Sequence, residues 1–340
     1  CVVWSQQSTQ TSGTLIVLNK SEASASLISL ATEQVVATVK TGEGPHEVAV
    51  SPDGQTAVVA NYGVQEKPGS TLTVIDIKNQ KAVMTIDLVK YQRPHGLVFL
   101  HDGKRVLVTA EAQKALLIVN VNTGKVVKAI VTGQEVSHMV ASSPKTRQAF
   151  VANIGSGSVS VIDLSKAETV ATIKTGSGAE GIDISPDGRE IWVANRAEDS
   201  INIIATRSLK VIAKLGSKSF PIRLKFTPDG KYVLVSNARS GDVAVFDVER
   251  RKEVHRIAMN VVPIAGKESR LFSDRFGESP VPVGILIHPD GLQAYVANTN
   301  ADIVTVIDLK KWEITNRLRA GKEPDGMAFS SIEMTLQTAK

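Results

Sequence analysis

The chain has 340 residues, 42% of them apolar and 21% charged, enough for a large packed core and unlike a disordered chain. Aromatic residues are only 4%, and the net charge of +5 is scattered, with no Lys/Arg run longer than Arg250–Arg251–Lys252, which excludes a base-stacking nucleic-acid platform and a polybasic patch. No apolar run reaches the roughly 18 residues of a membrane-spanning helix, and the single cysteine, Cys1, rules out an intramolecular disulfide and a Cys-based zinc site.

Residues 1–12 read as a polar tail, with Ser5–Ser12 as a tether. A cysteine at the first position resembles the mature end of a bacterial lipoprotein. That implies a lipid anchor at Cys1 and an exported protein, periplasmic or at the cell surface. The alternative is a sequence boundary that happens to fall at a cysteine. A chain otherwise free of cysteine suits an oxidising compartment in either case. Three β-rich apolar runs follow, Leu15–Asn19, Ala25–Leu30 and Val35–Val39.

From Pro45 the chain repeats. Ser51-Pro-Asp-Gly54 recurs as Leu100-His-Asp-Gly103, Ser143-Pro-Lys-Thr146, Ser185-Pro-Asp-Gly188, Thr227-Pro-Asp-Gly230 and His288-Pro-Asp-Gly291. Proline presets φ and glycine takes positive φ, so each phrase is a turn. An apolar strand a precedes each turn, such as Glu47–Val50 or Gly181–Ile184. Strand b follows and in most units ends in Asn: Ala57–Asn61, Phe150–Asn153, Ile191–Asn195, Val233–Asn237, Tyr295–Asn298. Strand c comes next, as in Val159–Leu164 or Val304–Leu309, and strand d closes the unit, as in Val126–Ile130 or Val170–Ile173.

Six units, numbered here as blades 1 to 6, begin near Pro45, Pro94, Ser137, Ala179, Pro221 and Pro282. A seventh strand a begins at Pro324 with too little chain after it to finish a unit. The three N-terminal runs supply the missing strands, with Asn19 in the Asn column. The expected fold is all-β: one seven-bladed β-propeller over residues 13–340, of four-stranded antiparallel blades. Its ring is closed by the C-terminal strand a pairing with the N-terminal strands b–d, which hides the sheet edges. The spacing of about 43 residues per unit is near the propeller-blade period. One closed ring therefore replaces the two domains that length alone would allow.

Strand b reads Tyr295-Val-Ala-Asn298, Phe150-Val-Ala-Asn153 and Trp192-Val-Ala-Asn195. Over residues 13 to about 330 the repeat resembles the YVTN family of seven-bladed β-propellers, a functionally diverse group of lactonase-like and surface-layer-type proteins. Ala110 replaces the Asn in blade 2, and Lys145-Thr146 replace Asp-Gly in blade 3. The resemblance implies the architecture; function has to be argued from the site.

In such a blade strand a lines the central channel, and the d–a and b–c connections share one face, called here the top. Both long insertions fall there: Tyr62–Ser70 in blade 1, and residues 260–280 between blades 5 and 6. Loops on a rigid scaffold are where function concentrates. Aligning the units puts His46, His95, His138, Glu180, Ile222, Val283 and Asp325 in one column at the channel mouth. The next column holds Glu47, Gly96, Met139, Gly181, Arg223, Gly284 and Gly326. Part of the mouth is thus ligand-like and part apolar, with the 260–280 insertion expected over the apolar part.

Three imidazoles plus an open position is a catalytic-zinc pattern, and imidazole also binds copper, iron or nickel. His46, His95 and His138 are the expected metal ligands, with Glu180 as a fourth. Glu180, Asp325 or Glu47 could serve as general base or orient a histidine, and Arg223 could hold a carboxylate or an oxyanion. Tyr62, Glu111 and Arg196 follow strand b and are expected as an outer polar rim. Polar lining of a wet channel is the plain alternative. The Asn column is expected to bond backbone within each blade. The Asp column (Asp76, Asp163, Asp247, Asp308) is expected to cap turns. Asp183 and Lys225 are expected to pair, and His101 and His288 to be exposed on the bottom face. No phosphate-binding glycine loop and no Gly-x-Ser-x-Gly elbow is present.

Three functions fit this reading: an exported propeller binding a divalent metal ion or small-molecule ligand at the mouth, a metal-dependent hydrolase or lyase acting there on a lactone or ester, and a non-catalytic scaffold for an envelope protein partner. A tetrapyrrole held through one histidine also suits the apolar side of the mouth.

Overall fold

The computed structural model describes residues 11–264, 270, 272 and 275–334. Cys1 and the rest of the polar tail to residue 10 lie outside them, as do parts of the 260–280 insertion. The described residues form seven four-stranded antiparallel sheets. The inner strands are Pro45–Val50, Pro94–Phe99, Ser137–Ser143, Ala179–Ile184, Pro221–Phe226, Pro282–Ile287 and Pro324–Ser330. Each packs against its neighbours in sequence, and Pro324–Ser330 packs against Pro45–Val50, so the ring is closed. As expected, the last sheet runs Pro324–Ser330, Thr14–Asn19, Ser24–Ser29, Gln34–Lys40. Its register pairs Thr14 with Ser330 and Val17 with Met327.

Strands b and c are buried on both faces, because each blade is sandwiched between two others, and so they read as near-continuous apolar runs. Outer strands such as Glu168–Lys174 alternate exposed and covered residues. The core lies between blades: Trp192, Ile201 and Ile203 of blade 4 pack on Leu224, Phe226 and Phe246 of blade 5. Trp192 is fully buried, and truncating such a side chain to Ala costs about 3–5 kcal/mol.

Two side-chain columns tie each blade internally. The Asn amides reach mostly side chains of strand c rather than backbone: Asn19 donates to Ser24 and Ser26, Asn61 to Thr71 and Thr73, and Asn153 to Ser158 and Ser160. The carbonyl oxygens of Asn61 and Asn19 accept from the d–a connection, from Gly42 N and Gly321 N. The Asp column caps turns as expected: Asp163 accepts from Ser165 N, and Asp308 from Lys310 N. Asp183 and Lys225 pair at 3.4 Å between adjacent blades. His288 departs from expectation. It is buried edge-on against Phe329, with Nδ1 2.8 Å from Asp290, because the C-terminal inner strand covers its turn.

One feature of the inner strands positions the site. Each pairs with strand b at its first residue, then shifts register. In blade 2 the pairing jumps from Pro94 to Leu97, in blade 3 from Ser137 to Val140, in blade 4 from Ala179 to Ile182. In blades 1 and 5 only His46 and Ile222 are skipped. Such a bulge re-aims the skipped residues, here at the channel mouth. The glycines of the second column are needed because neighbouring inner strands nearly touch. A Cβ on Gly284 would sit 2.1 Å from the carbonyl oxygen of Asp325, and one on Gly326 2.3 Å from that of His46.

The Tyr62–Ser70 insertion is a hairpin extension rather than a loose loop: strands Thr56–Gly63 and Pro68–Asp76 continue, with Gly63 opposite Pro68. In the second insertion, Phe272 and Phe276 pack on Ile222 and Val283, the apolar residues of the mouth column.

Candidate functional site

The bulges deliver His46, His95 and His138 side by side from blades 1, 2 and 3. The rings form a file, not a claw: His46 and His95 meet edge-on with centroids 4.9 Å apart, and His95 and His138 overlap at 3.5 Å and 32°. Tyr62 packs against His46 at 4.5 Å and His95 at 5.5 Å. Among the described residues, no group of three His, Cys, Asp or Glu side chains is arranged to hold a metal ion. His46, His95 and His138, expected to share an ion with Glu180 as fourth ligand, lie here with their rings packed in a row rather than turned toward one point. His138 gives both nitrogens to carboxylates, Nδ1 to Glu111 and Nε2 to Glu180 at 3.3 Å.

Those carboxylates set the charges. Burial works against a charge on His138, but Glu111 and Glu180 outweigh it and raise its pKa above the ordinary value. His95, fully covered, is pushed well below that value by burial and by the charge of its neighbour His138. Burial and Lys20 do the same to His46, against the pull of Asp325. The surroundings thus favour charge on His138 and disfavour it on His95 and His46.

The network continues across the channel. Glu180 accepts from Arg196 and, at 2.8 Å, from Arg223 Nη1. Burial would raise the Glu180 pKa, but Arg196, His138 and Arg223 hold it far below the usual carboxylate range. Arg223, from blade 5, also donates to Glu47 of blade 1 at 3.0 Å. The two are joined across the lumen: in blades 1 and 5 the second-column residue pairs with strand b and carries a long charged side chain, where four other blades have glycine. Burial raises the pKa of Glu47 even against Arg223. Asp325 pairs with buried Lys20 at 2.5 Å, and its pKa lies low because Lys20 and His46 offset its burial. Two buried polar atoms of this network have no hydrogen-bond partner, His95 Nδ1 and Asp325 Oδ1. Groups left so cost free energy unless something else binds them.

Above the network opens a cavity of about 1260 Å³, larger than the roughly 300–1,000 Å³ of common small-molecule pockets. Its wall includes His46, Tyr62, Val64, Ile264, Arg93 and Lys322. The His46 Nδ1 lies 2.9 Å from the Gly44 carbonyl and so carries the proton. That leaves Nε2 as the basic nitrogen of a residue that lines the cavity. Arg93 lies 4.8 Å from the Tyr62 ring centre and donates to the Val64 and Gln65 carbonyls. Arg270 of the long insertion is held by Asp302 through two bonds of 2.8 Å.

All ten residues singled out in the sequence thus meet in one connected set: His46, His95, His138, Glu47, Glu180, Arg223, Asp325, Tyr62, Glu111 and Arg196. Of the last three, Tyr62 and Arg196 stay partly exposed, but Glu111 is not on an outer rim. Glu111 is buried beneath Tyr62, which donates to it at 2.7 Å, and burial with that carboxylate pushes the phenol pKa well up. Sequence reasoning placed Arg270 on the top face with its insertion but missed Lys20, Arg93 and Lys322. Lys20 follows Asn19 as Tyr62 follows Asn61, so the same column would have found it.

Residues 101–222, little more than a third of the chain, match a family model described as the cytochrome D1 heme domain. No curated protein sequence matches. Among solved structures, the chain is similar to Kuenenia stuttgartiensis hydrazine synthase, with 20% identity, a TM-score of 0.70, and coverage of 83% of this chain and 88% of that one. It is also similar to a functionally unknown protein from Desulfotomaculum acetoxidans DSM 771, with 15% identity, a TM-score of 0.76, and coverage of 94% and 99%. At such identities the likeness shows the propeller fold alone.

Proposed function

We propose that this chain is an exported binding propeller whose ligand, a metal-centred tetrapyrrole such as haem, enters the mouth cavity and is held through His46. One observation carries the reading: His46, a neutral imidazole whose Nδ1 is committed to the Gly44 carbonyl so that Nε2 keeps its lone pair, lines a cavity large enough for a macrocycle. A backbone carbonyl on the far nitrogen is the arrangement that fixes the tautomer and raises the basicity of a metal-ligating histidine. The partial match to the D1 heme domain supports it.

The residues present fit the group. Tyr62, Val64 and Ile264 offer apolar surface, and Arg93 and Lys322 offer cations for ring carboxylates. When bound, haem iron supplies electron transfer or activation of a small ligand. The chain's own residues supply the rest. His46 orients the group, Tyr62 packs its ring against that imidazole, and His138 keeps a proton between Glu111 and Glu180 one blade away. The export part of the reading rests on the sequence, whose only thiol is Cys1. The lactone hydrolase alternative needed three converging imidazoles and is not carried forward.

Titration with haemin followed by visible absorption tests the reading. The parent chain should bind about one equivalent with a shifted Soret band. His46→Ala should weaken binding about 10–100-fold, the range seen when a metal site loses its support, while His95→Ala should keep the spectrum. An unchanged Soret band in the parent, or the same spectrum in His46→Ala, would overturn it.

A further inference from the structure

The top face carries a second cluster, away from the His46 cavity. Phe220, just before the inner strand of blade 5, packs on Phe276 of the insertion with ring centres 4.9 Å apart. Both rings are buried over Ile222 and Val283. Three guanidinium groups surround them. The Cζ atoms of Arg196, Arg239 and Arg275 lie 5.3, 5.4 and 5.4 Å from the Phe220 centre. Arg239 and Arg275 also lie 5.7 and 5.3 Å from that of Phe276.

Among the described residues the charges of this cluster do not balance. Arg196 is paired with Glu180. Arg239 and Arg275 are exposed, and neither has a carboxylate partner among the described residues. They come from different elements, the b–c turn of blade 5 and the long insertion, yet converge on the same two rings. An exposed cation–ring contact is worth only about 0.5–1 kcal/mol, and like charges drawn to one spot oppose it. An anion between the two forks removes the repulsion. Guanidinium forks match carboxylate and phosphate oxygens in pairs, and forks already seated against ring faces lose less side-chain freedom on binding.

We propose that Arg239 and Arg275, seated on Phe220 and Phe276, form a second binding site on the top face, for a small oxyanion bearing a carboxylate or phosphate group. Arg196, already neutralised by Glu180, completes the rim and couples the site to the channel network.

Calorimetric titration of the full chain with inorganic phosphate, and separately with succinate, at low ionic strength tests this. Saturable binding of either anion at a single site is expected, and the stronger of the two identifies the headgroup. Arg239→Gln and Arg275→Gln should each weaken it tenfold or more with the circular dichroism unchanged. Arg239→Lys and Arg275→Lys keep the charge and lose the fork, and should weaken it several-fold; they carry the test if a Gln variant does not fold. Binding of neither anion, or equal binding by the parent and the variants, overturns the proposal.

Discussion

Replacing Arg223 by Met tests the channel network. The guanidinium sits between Glu180 at 2.8 Å and Glu47 at 3.0 Å, with its side chain 8% exposed. Removing one partner of a buried ion pair costs about 3–5 kcal/mol, because the other charge stays buried without compensation. For a chain of this size that is a fall in melting temperature of about 4–7 °C. The loss has a pH signature. Burial already raises the Glu47 pKa, and Arg223 is the chief group opposing that rise. In the variant the folded-state pKa climbs further above the unfolded value. A carboxyl group with a raised folded pKa destabilises the fold above that pKa and stops doing so once protonated. The deficit should therefore be smallest near pH 4.5 and grow as pH rises, by up to about 1.4 kcal/mol per unit of further shift. Denaturant midpoints of parent and variant across that range measure it. A deficit below about 1 kcal/mol, or one that does not change with pH, would refute the network as described.

Three other outcomes are expected. His138 has a raised folded pKa, so its contribution is present below about pH 6.5 and lost as pH rises through the folded value; His138→Gln should flatten the parent's decline in urea midpoint over that window. Gly284→Ala places a Cβ 2.1 Å from the Asp325 carbonyl oxygen, and should cost at least the 1–3 kcal/mol or so of ordinary overpacking, read as a lower melting temperature. Deleting residues 324–340 removes the inner strand that closes the ring with Thr14–Asn19; the product should lose its cooperative thermal transition, and a sharp unchanged transition would contradict closure at that seam.

The fold was legible because the chain states it seven times. A turn phrase, an Asn column and an Asp column recur at blade spacing, and the strand left over at Pro324 matches the strands missing before Pro45. The mouth column was legible for the same reason: equivalent positions in a closed ring must meet near its axis. What the column could not show is how its members face one another. Stacking of His95 on His138 depends on bulges that move two residues per strand out of register, and no residue type announces them. The bond from Arg223 to Glu47 joins residues 176 apart in sequence and follows from ring diameter, not from spacing. Glu111 looked like rim because it follows strand b, yet the turn Glu111–Gln113 folds it inward under Tyr62. His288 was misread because its cover, Phe329, comes from the far end of the chain.

The most direct test of the binding site is anomalous diffraction at the iron edge from crystals grown with haemin. The account predicts one iron peak in the mouth cavity, at coordination distance from His46 Nε2. A peak beside another histidine, such as exposed His101 or His255, or no ordered iron at all, would contradict it.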